Sequence, residues 1–222
     1  MNDQKANESL AYPCVIQDIR DLAWDRLTEA ETIDLAWAYY FFSIQFRENL
    51  EVARALHPDD ERLRELARGE CATDNLSPWP GVAAAGERMD HDEFMRRLLA
   101  LSPIPRERSA RFREIGEAYL GQVRALDPLV RAMSLASYED GGLETVFRAM
   151  LKSPESRNPL TGAFRHFLSE HIRFDSDADA GHGALIRHLR PDDRVLPLWT
   201  SFRRLLTDFV PGLAAKALDR AA

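Results

Sequence analysis

The sequence has few of the features that mark secreted, membrane-spanning or thiolate-bound proteins. Cysteine occurs only as Cys14 and Cys71 among 222 residues, so neither a disulfide framework nor a thiolate metal site is expected. The most apolar run, residues 35–44, is far shorter than the ~20 residues that cross a bilayer. Residues 1–5 lack the apolar core of a signal peptide, and we therefore expect a cytoplasmic protein.

Positive charge is also in deficit. The chain carries 29 Lys and Arg against 36 Asp and Glu, a formal net charge of −7 at pH 7, and its pI is ≈ 5.4. This balance argues against a duplex nucleic acid or an anionic membrane as a partner. A chain of this length can bury a sizeable core without disulfides. We expect one domain over residues 1–222.

No segment predicts a strand, and nearly every segment has helical periodicity, so an all-α fold is expected. Residues 1–15 form a loose lead-in, and Thr32 is the expected cap of the longest helix. Caps and prolines give the helix boundaries 16–27, 33–56, 58–75, 90–101, 106–126, 128–152, a helix that begins after Asn158 and Pro159, and a last helix from Pro191. The longest loop, residues 76–89, contains two prolines and two glycines and is a candidate functional loop.

Acids and histidines interrupt the expected apolar faces of these helices. Leu160, Phe164 and Phe167 share one face, for example, and the next residues on that face are His171 and Asp175. The interrupting acids are Glu48, Glu70, Glu139 and Asp175, and His91, His171 and His182 lie beside them. An unpaired buried carboxylate costs several kcal/mol, which a protein stable by only ~5–15 kcal/mol cannot sustain several times over. A pair of divalent cations would compensate these acids together.

The types of candidate ligand narrow the choice of metal. Carboxylates with imidazoles and without thiolates favour iron or manganese over structural zinc. The ferritin-like diiron bundles use Glu-x-x-His motifs, and this sequence contains none. It contains His171-x-x-x-Asp175 followed by Gly-His182-Gly, with Tyr138-Glu139, His91 and Glu70 upstream.

That pattern resembles the haem-oxygenase-like diiron oxidases, whose relatives include TenA-type thiaminases and pyrroloquinoline-quinone synthases. The resemblance covers roughly residues 33–190. It implies a bundle of about seven helices that holds two Fe(II) ions, or manganese, which react with O2 to oxidise a small organic substrate. The implied ligands are Glu48, Glu70, His91, Glu139, His171, Asp175 and His182.

Two departures from the family pattern stand out. The family motif has a histidine three residues after the aspartate, where this chain has Ala178, and the histidine follows four residues later as His182. The separation between Glu70 and His91 is also long for the family. If His91 is not a ligand, Asp74 is the nearest replacement.

Two alternatives to a diiron enzyme stay open at this point. A metal-free enzyme similar to the thiaminases or quinone synthases would keep the fold, and a non-catalytic helical protein would use its buried acids for ion pairs or for a partner. Glu48 in particular could pair with Arg47 or with an arginine of a neighbouring helix.

Trp199 and Phe202 of the last helix are candidates for a homodimer contact. No phosphate loop or nucleophile elbow identifies the substrate.

Overall fold

The computed structural model describes residues 10–76, 78–175 and 182–214, and of residues 174 and 175 the backbone alone. The described residues contain no β-strand and form an all-helical protein, as expected. The α-helices are α1 (Tyr12–Arg20), α2 (Glu29–Leu56), α3 (Glu61–Glu70), α4 (His91–Ala100), α5 (Arg106–Arg124), α6 (Pro128–Glu139), α7 (Gly142–Met150), α8 (Pro159–Asp175), α9 (His182–Ile186) and α10 (Leu196–Phe209). Short 3-10 turns lie at Trp24–Arg26, Arg187–Leu189 and Asp193–Val195. None of the described helices combines the length and the apolar composition of a membrane span.

The long helix α2 is the element around which the others pack. The hydroxyl oxygen of Thr28 accepts a hydrogen bond from the Glu31 N–H at 3.2 Å, and Glu31 Oε2 accepts one from the Thr28 N–H at 2.8 Å. This capping box begins α2 one turn before Thr32, so the expected cap is wrong. Helices α3, α4, α5, α6, α8 and α10 all contact α2, and Phe42 and Leu50 are buried between them.

The expected helix over residues 128–152 is two helices. Helix α6 ends at Glu139, and Gly141 then adopts a φ of 88°, a left-handed conformation that is unstrained for glycine. Gly142 starts α7 in a position where a Cβ atom would lie 2.1 Å from the carbonyl oxygen of Ser137. The glycine pair therefore breaks the helix completely, and Glu139 becomes the last residue of α6. This break and the separate helix α9 bring the described α-helices to ten, against the eight given by the boundaries above and the seven or so implied by the resemblance.

Helix α3 ends at Glu70, five residues earlier than expected, and the loop that follows returns to α4. Isolated antiparallel bridges join Thr73 to Met89 and Trp79 to Ala83 inside this loop. Asp90 Oδ1, just before α4, accepts a hydrogen bond of 2.8 Å from the backbone N–H of Ala72. The end of α3 is thereby held beside the start of α4, which explains how residues far apart in the sequence meet in one site.

Candidate metal centre

The carboxylate of Glu70 lies between two groups of histidine and acid side chains. It is 7% exposed, and its Oε2 lies 2.7 Å from His91 Nδ1 while its Oε1 lies 2.8 Å from His182 Nδ1. We call Glu70, His91 and His171 the first group, and Glu70, Glu139 and His182 the second group. Within each group the candidate ligand atoms all lie within 4.8 Å of one another. One carboxylate that offers one oxygen to each group has the arrangement of a bridge between two cations.

Hydrogen bonds fix the tautomers of the histidines in the first group. His91 Nε2 lies 3.1 Å from Asn75 Oδ1, and His171 Nδ1 lies 2.9 Å from the carbonyl oxygen of Phe167. Both partners are acceptors, so both of these ring nitrogens carry a proton. In neutral rings His91 Nδ1 and His171 Nε2, which are 3.1 Å apart, then present lone pairs to each other and to Glu70. Such lone pairs repel one another unless a cation, a metal ion or a proton, lies between them.

The orientation of Asn75 is itself determined by a second contact. Its Nδ2 donates a hydrogen bond of 2.7 Å to the carbonyl oxygen of Gly69, and this contact leaves Oδ1 facing His91. The tautomer of His91 is therefore set by a side chain that is anchored to the end of α3. Histidine ligands in metal sites are commonly oriented in this way by a hydrogen bond at the other ring nitrogen.

The second group is assembled where α3, α6 and α9 meet. His182 Nδ1 lies 3.5 Å from Glu139 Oε2, and both residues are buried. The packing is tight, because a Cβ atom on Gly183 would lie 2.8 Å from the carbonyl oxygen of Glu139. Only a residue without a side chain allows α9 to approach the end of α6 this closely.

Two opposing effects act on the ionisation of Glu70. Its burial raises the pKa, whereas the adjacent imidazoles of His91 and His182 lower it by charge and by hydrogen bonding. The net result is that the pKa of Glu70 lies well below its usual range. Glu70 is therefore a carboxylate at neutral pH, which is the form that coordinates a cation.

A small cavity of ≈ 20 Å³ lies against the two groups, a size that holds about one water-sized molecule. Helix α2 forms one wall of it with Tyr39, Ser43 and Phe46. Arg47 and Asp92 also line it, and Arg47 Nε lies 3.0 Å from Asp92 Oδ2. The rest of the lining consists of Leu143, Phe167 and the candidate ligands Glu70, His91, Glu139 and His171. Apolar side chains of α2, α7 and α8 thus lie beside the candidate ligands in this cavity, with one ion pair at its edge.

The structure brings together most of the candidate ligands. Those in the two groups are Glu70, His91, Glu139, His171 and His182. Asp74, the alternative to His91, is exposed. The side chain of Asp175 and the whole of Ala178 lie outside the described residues.

Glu48 is not brought to the site. Its side chain is 20% exposed and forms an ion pair with Arg124 of α5 at 2.6 Å. This pair corresponds to the alternative in which Glu48 binds an arginine of a neighbouring helix. Helix α2 turns Tyr39, Ser43 and Phe46 toward the cavity. Position 48 lies about 140° around the helix axis from Ser43, so its side chain faces away from the cavity. The structure therefore does not support Glu48 as a ligand.

Glu48→Gln is accordingly expected to leave the metal content unchanged. It should lower the free energy of unfolding by about 0.2–1 kcal/mol, as for other partly exposed ion pairs. Metal analysis of the loaded variant and its urea unfolding curve test both parts. Loss of bound metal in this variant would return Glu48 to the ligand set.

Sequence reasoning missed several residues that shape the site. The helical periodicity of the sequence could have identified Tyr39 as a core-facing residue. It falls on the stripe of Leu35, Phe42, Phe46 and Leu50, which have helical spacing and are buried. Asn75 and Gly69 gave no such signal, since their roles depend on contacts with other parts of the chain. The stripe that predicts a buried Glu48 runs through Trp37, Phe41 and Ile44 at helical spacing, and of these Trp37 and Ile44 are only partly buried.

Comparison of the chain with models of known protein families, with curated proteins and with solved structures finds no match. The geometry of the site is therefore the basis for a functional assignment. Fold resemblance alone would in any case be weak evidence for a particular chemistry.

Proposed function

We propose that this protein is an iron-containing redox enzyme, a non-haem diiron oxidase or oxygenase that activates O2 to oxidise a small organic substrate. The observation that carries the proposal is Glu70, a buried carboxylate whose two oxygens face two separate histidine-containing groups. We further propose that the helices have the haem-oxygenase-like arrangement implied by the sequence pattern.

The donor atoms of the two groups fit such a metal pair. The first group offers two imidazole nitrogens and a carboxylate oxygen, and the second offers one imidazole nitrogen and two carboxylate oxygens. Nitrogen and oxygen donors without thiolate suit iron or manganese. Two Fe(II) ions held there would supply electrons for the reduction of O2.

The other residues of the chain define what reaches the site. Asn75 and the carbonyl of Phe167 hold the His91 and His171 rings in their tautomers. Phe46, Phe167 and Leu143 line the cavity, and apolar side chains at these positions would limit the access of water to an oxidising centre. We propose that the substrate approaches past Arg47, whose side chain is 31% exposed.

The proposal is tested by loading the protein with Fe(II) under anaerobic conditions and then mixing it with O2. We expect about two irons per chain in the loaded protein, because ligand sets of this type bind divalent metal once they are deprotonated. We also expect O2 consumption and a transient visible absorbance in a stopped-flow experiment. A protein that binds no iron would contradict the proposal, and one that binds iron without consuming O2 would be a metal-binding protein of another class.

One observation favours a second candidate, a metal-free enzyme or binding protein of the same fold. Glu70 lies within ion-pair distance of both His91 and His182, at 2.7 and 2.8 Å, so protonated imidazoles would balance the buried carboxylate without a metal. Protein that has been treated with a chelator separates the two candidates. Full activity on a substrate after metal removal would favour the metal-free enzyme.

A further inference from the structure

Gly69, next to Glu70 in the last turn of α3, lies directly under the ring of His182. A Cβ atom at position 69 would be 2.4 Å from His182 Nε2 and 3.3 Å from both Cδ2 and Cε1. Gly69 does not have a positive φ, so its backbone conformation does not require glycine. Glycine also weakens a helix relative to alanine. The contact with His182 is therefore the structural reason for a glycine at this position.

The contact orients the imidazole. With Nε2 against Gly69, the opposite side of the ring places Nδ1 2.8 Å from Glu70 Oε1 and 3.5 Å from Glu139 Oε2. A methyl group at position 69 would force the ring away by roughly 1 Å to reach an ordinary van der Waals distance. Metal–ligand distances are maintained within about 0.2 Å. A displacement of this size therefore exceeds what coordination by His182 tolerates.

The peptide carbonyl of Gly69 is also linked to His91 of the first group through Asn75. It accepts the hydrogen bond from Asn75 Nδ2 at 2.7 Å, and Asn75 Oδ1 accepts from His91 Nε2 at 3.1 Å. One residue of α3 thus contacts a histidine of the second group through its Cα and a histidine of the first group through its carbonyl and Asn75. The two contacts are independent, because a substitution at Cα leaves the carbonyl oxygen in place.

We propose that Gly69 is a positioning residue for His182, and that it determines whether the second metal position forms while the first position forms without it. This inference rests on the proposed two-metal centre. It assigns to Gly69 a specific effect, the loss of one metal ion of the pair, that a general role in folding would not produce.

The test compares Gly69→Ala with Gly121→Ala. Gly121 lies in α5, and a Cβ atom there would meet nothing within 4 Å, so it is a matched helical control. After anaerobic loading with Fe(II), we expect about two irons per chain in the wild type and in Gly121→Ala, and about one in Gly69→Ala. His182→Ala should also bind about one iron by the same argument. Gly69→Ala with two irons, or with none beside a loaded wild type, would overturn the inference.

A double-mutant cycle on metal-free protein tests the contact independently of the metal. Gly69→Ala should lower the midpoint of thermal unfolding in the wild-type background and leave it unchanged or raise it in the His182→Ala background, because the clashing ring is then gone. If Gly69→Ala alone does not fold, recovery of folding in the double variant supports the inference. Equal effects in both backgrounds, or a double variant that does not fold when His182→Ala does, would overturn it. A wild type that binds no iron contradicts the proposed function, while the cycle still decides the role of Gly69.

Discussion

Glu70→Ala is expected to abolish the binding of both metal ions. Each group of candidate ligands has three residues, and Glu70 is the one that they share. Its removal leaves His91 with His171 on one side and Glu139 with His182 on the other, two donors each. Metal analysis after anaerobic loading should therefore fall from about two irons per chain to nearly none, a larger loss than the 10–100-fold weakening that follows from changes outside the ligand set.

Glu65→Ala is the matched control for this variant. Glu65 lies in the same helix, is exposed and pairs with Arg68, so its removal changes the same residue type without reaching the site. The control should bind metal as the wild type does. If Glu70→Ala is folded and still holds two irons, Glu70 is not the bridge between the two positions, and the proposed centre is wrong.

Metal binding is also expected to raise the thermal stability of the protein substantially. A ligand that binds only the folded state at 100 times its Kd adds ~2.7 kcal/mol, so two such ions add ~5 kcal/mol. For a chain of this size each kcal/mol raises the unfolding midpoint by ~2–4 °C. The midpoint should therefore rise by ~10–20 °C when both positions are filled.

Mn(II) is a convenient ion for this measurement, because carboxylate and imidazole ligands accept it and it is stable in air. The shift should depend on metal concentration and should disappear on addition of a chelator. Glu70→Ala, which keeps only two donors in each group, should show little of it. An unfolding midpoint that does not respond to Mn(II) or Fe(II) in the wild type would favour the metal-free candidate.

The interrupted apolar faces predicted much of the site from sequence. Glu70, Glu139 and His171 each stand where a buried apolar residue was expected, and all three are buried in the two groups. His182, a ligand implied by the resemblance, reaches the site as the first residue of α9. Because burying an unpaired charge is costly, such interruptions can indicate a candidate site even without relatives.

The prediction for Glu48 shows where this reasoning fails. Helix α2 buries residues on nearly all of its faces, with Leu35, Phe41, Phe42 and Phe46 all in the core, and a helix that is apolar all round gives no unique direction. The stripe through Trp37 and Ile44 was therefore only one of several faces of α2 that the sequence allowed to be buried. Helix ends were equally uncertain, because the early end of α3 depends on contacts made by the loop that follows it.

The wall that α2 contributes to the cavity carries no candidate ligand among the described residues. Tyr39, Ser43 and Phe46 touch the space beside the two groups, while the residues of those groups come from α3, α4, α6, α8 and α9. Substitutions can therefore change this wall of the cavity without changing a residue of the two groups. For the proposed enzyme, substitutions on α2 would reshape the space for a substrate and leave the residues of the two groups unchanged, so that specificity could diverge while the proposed metal centre is retained.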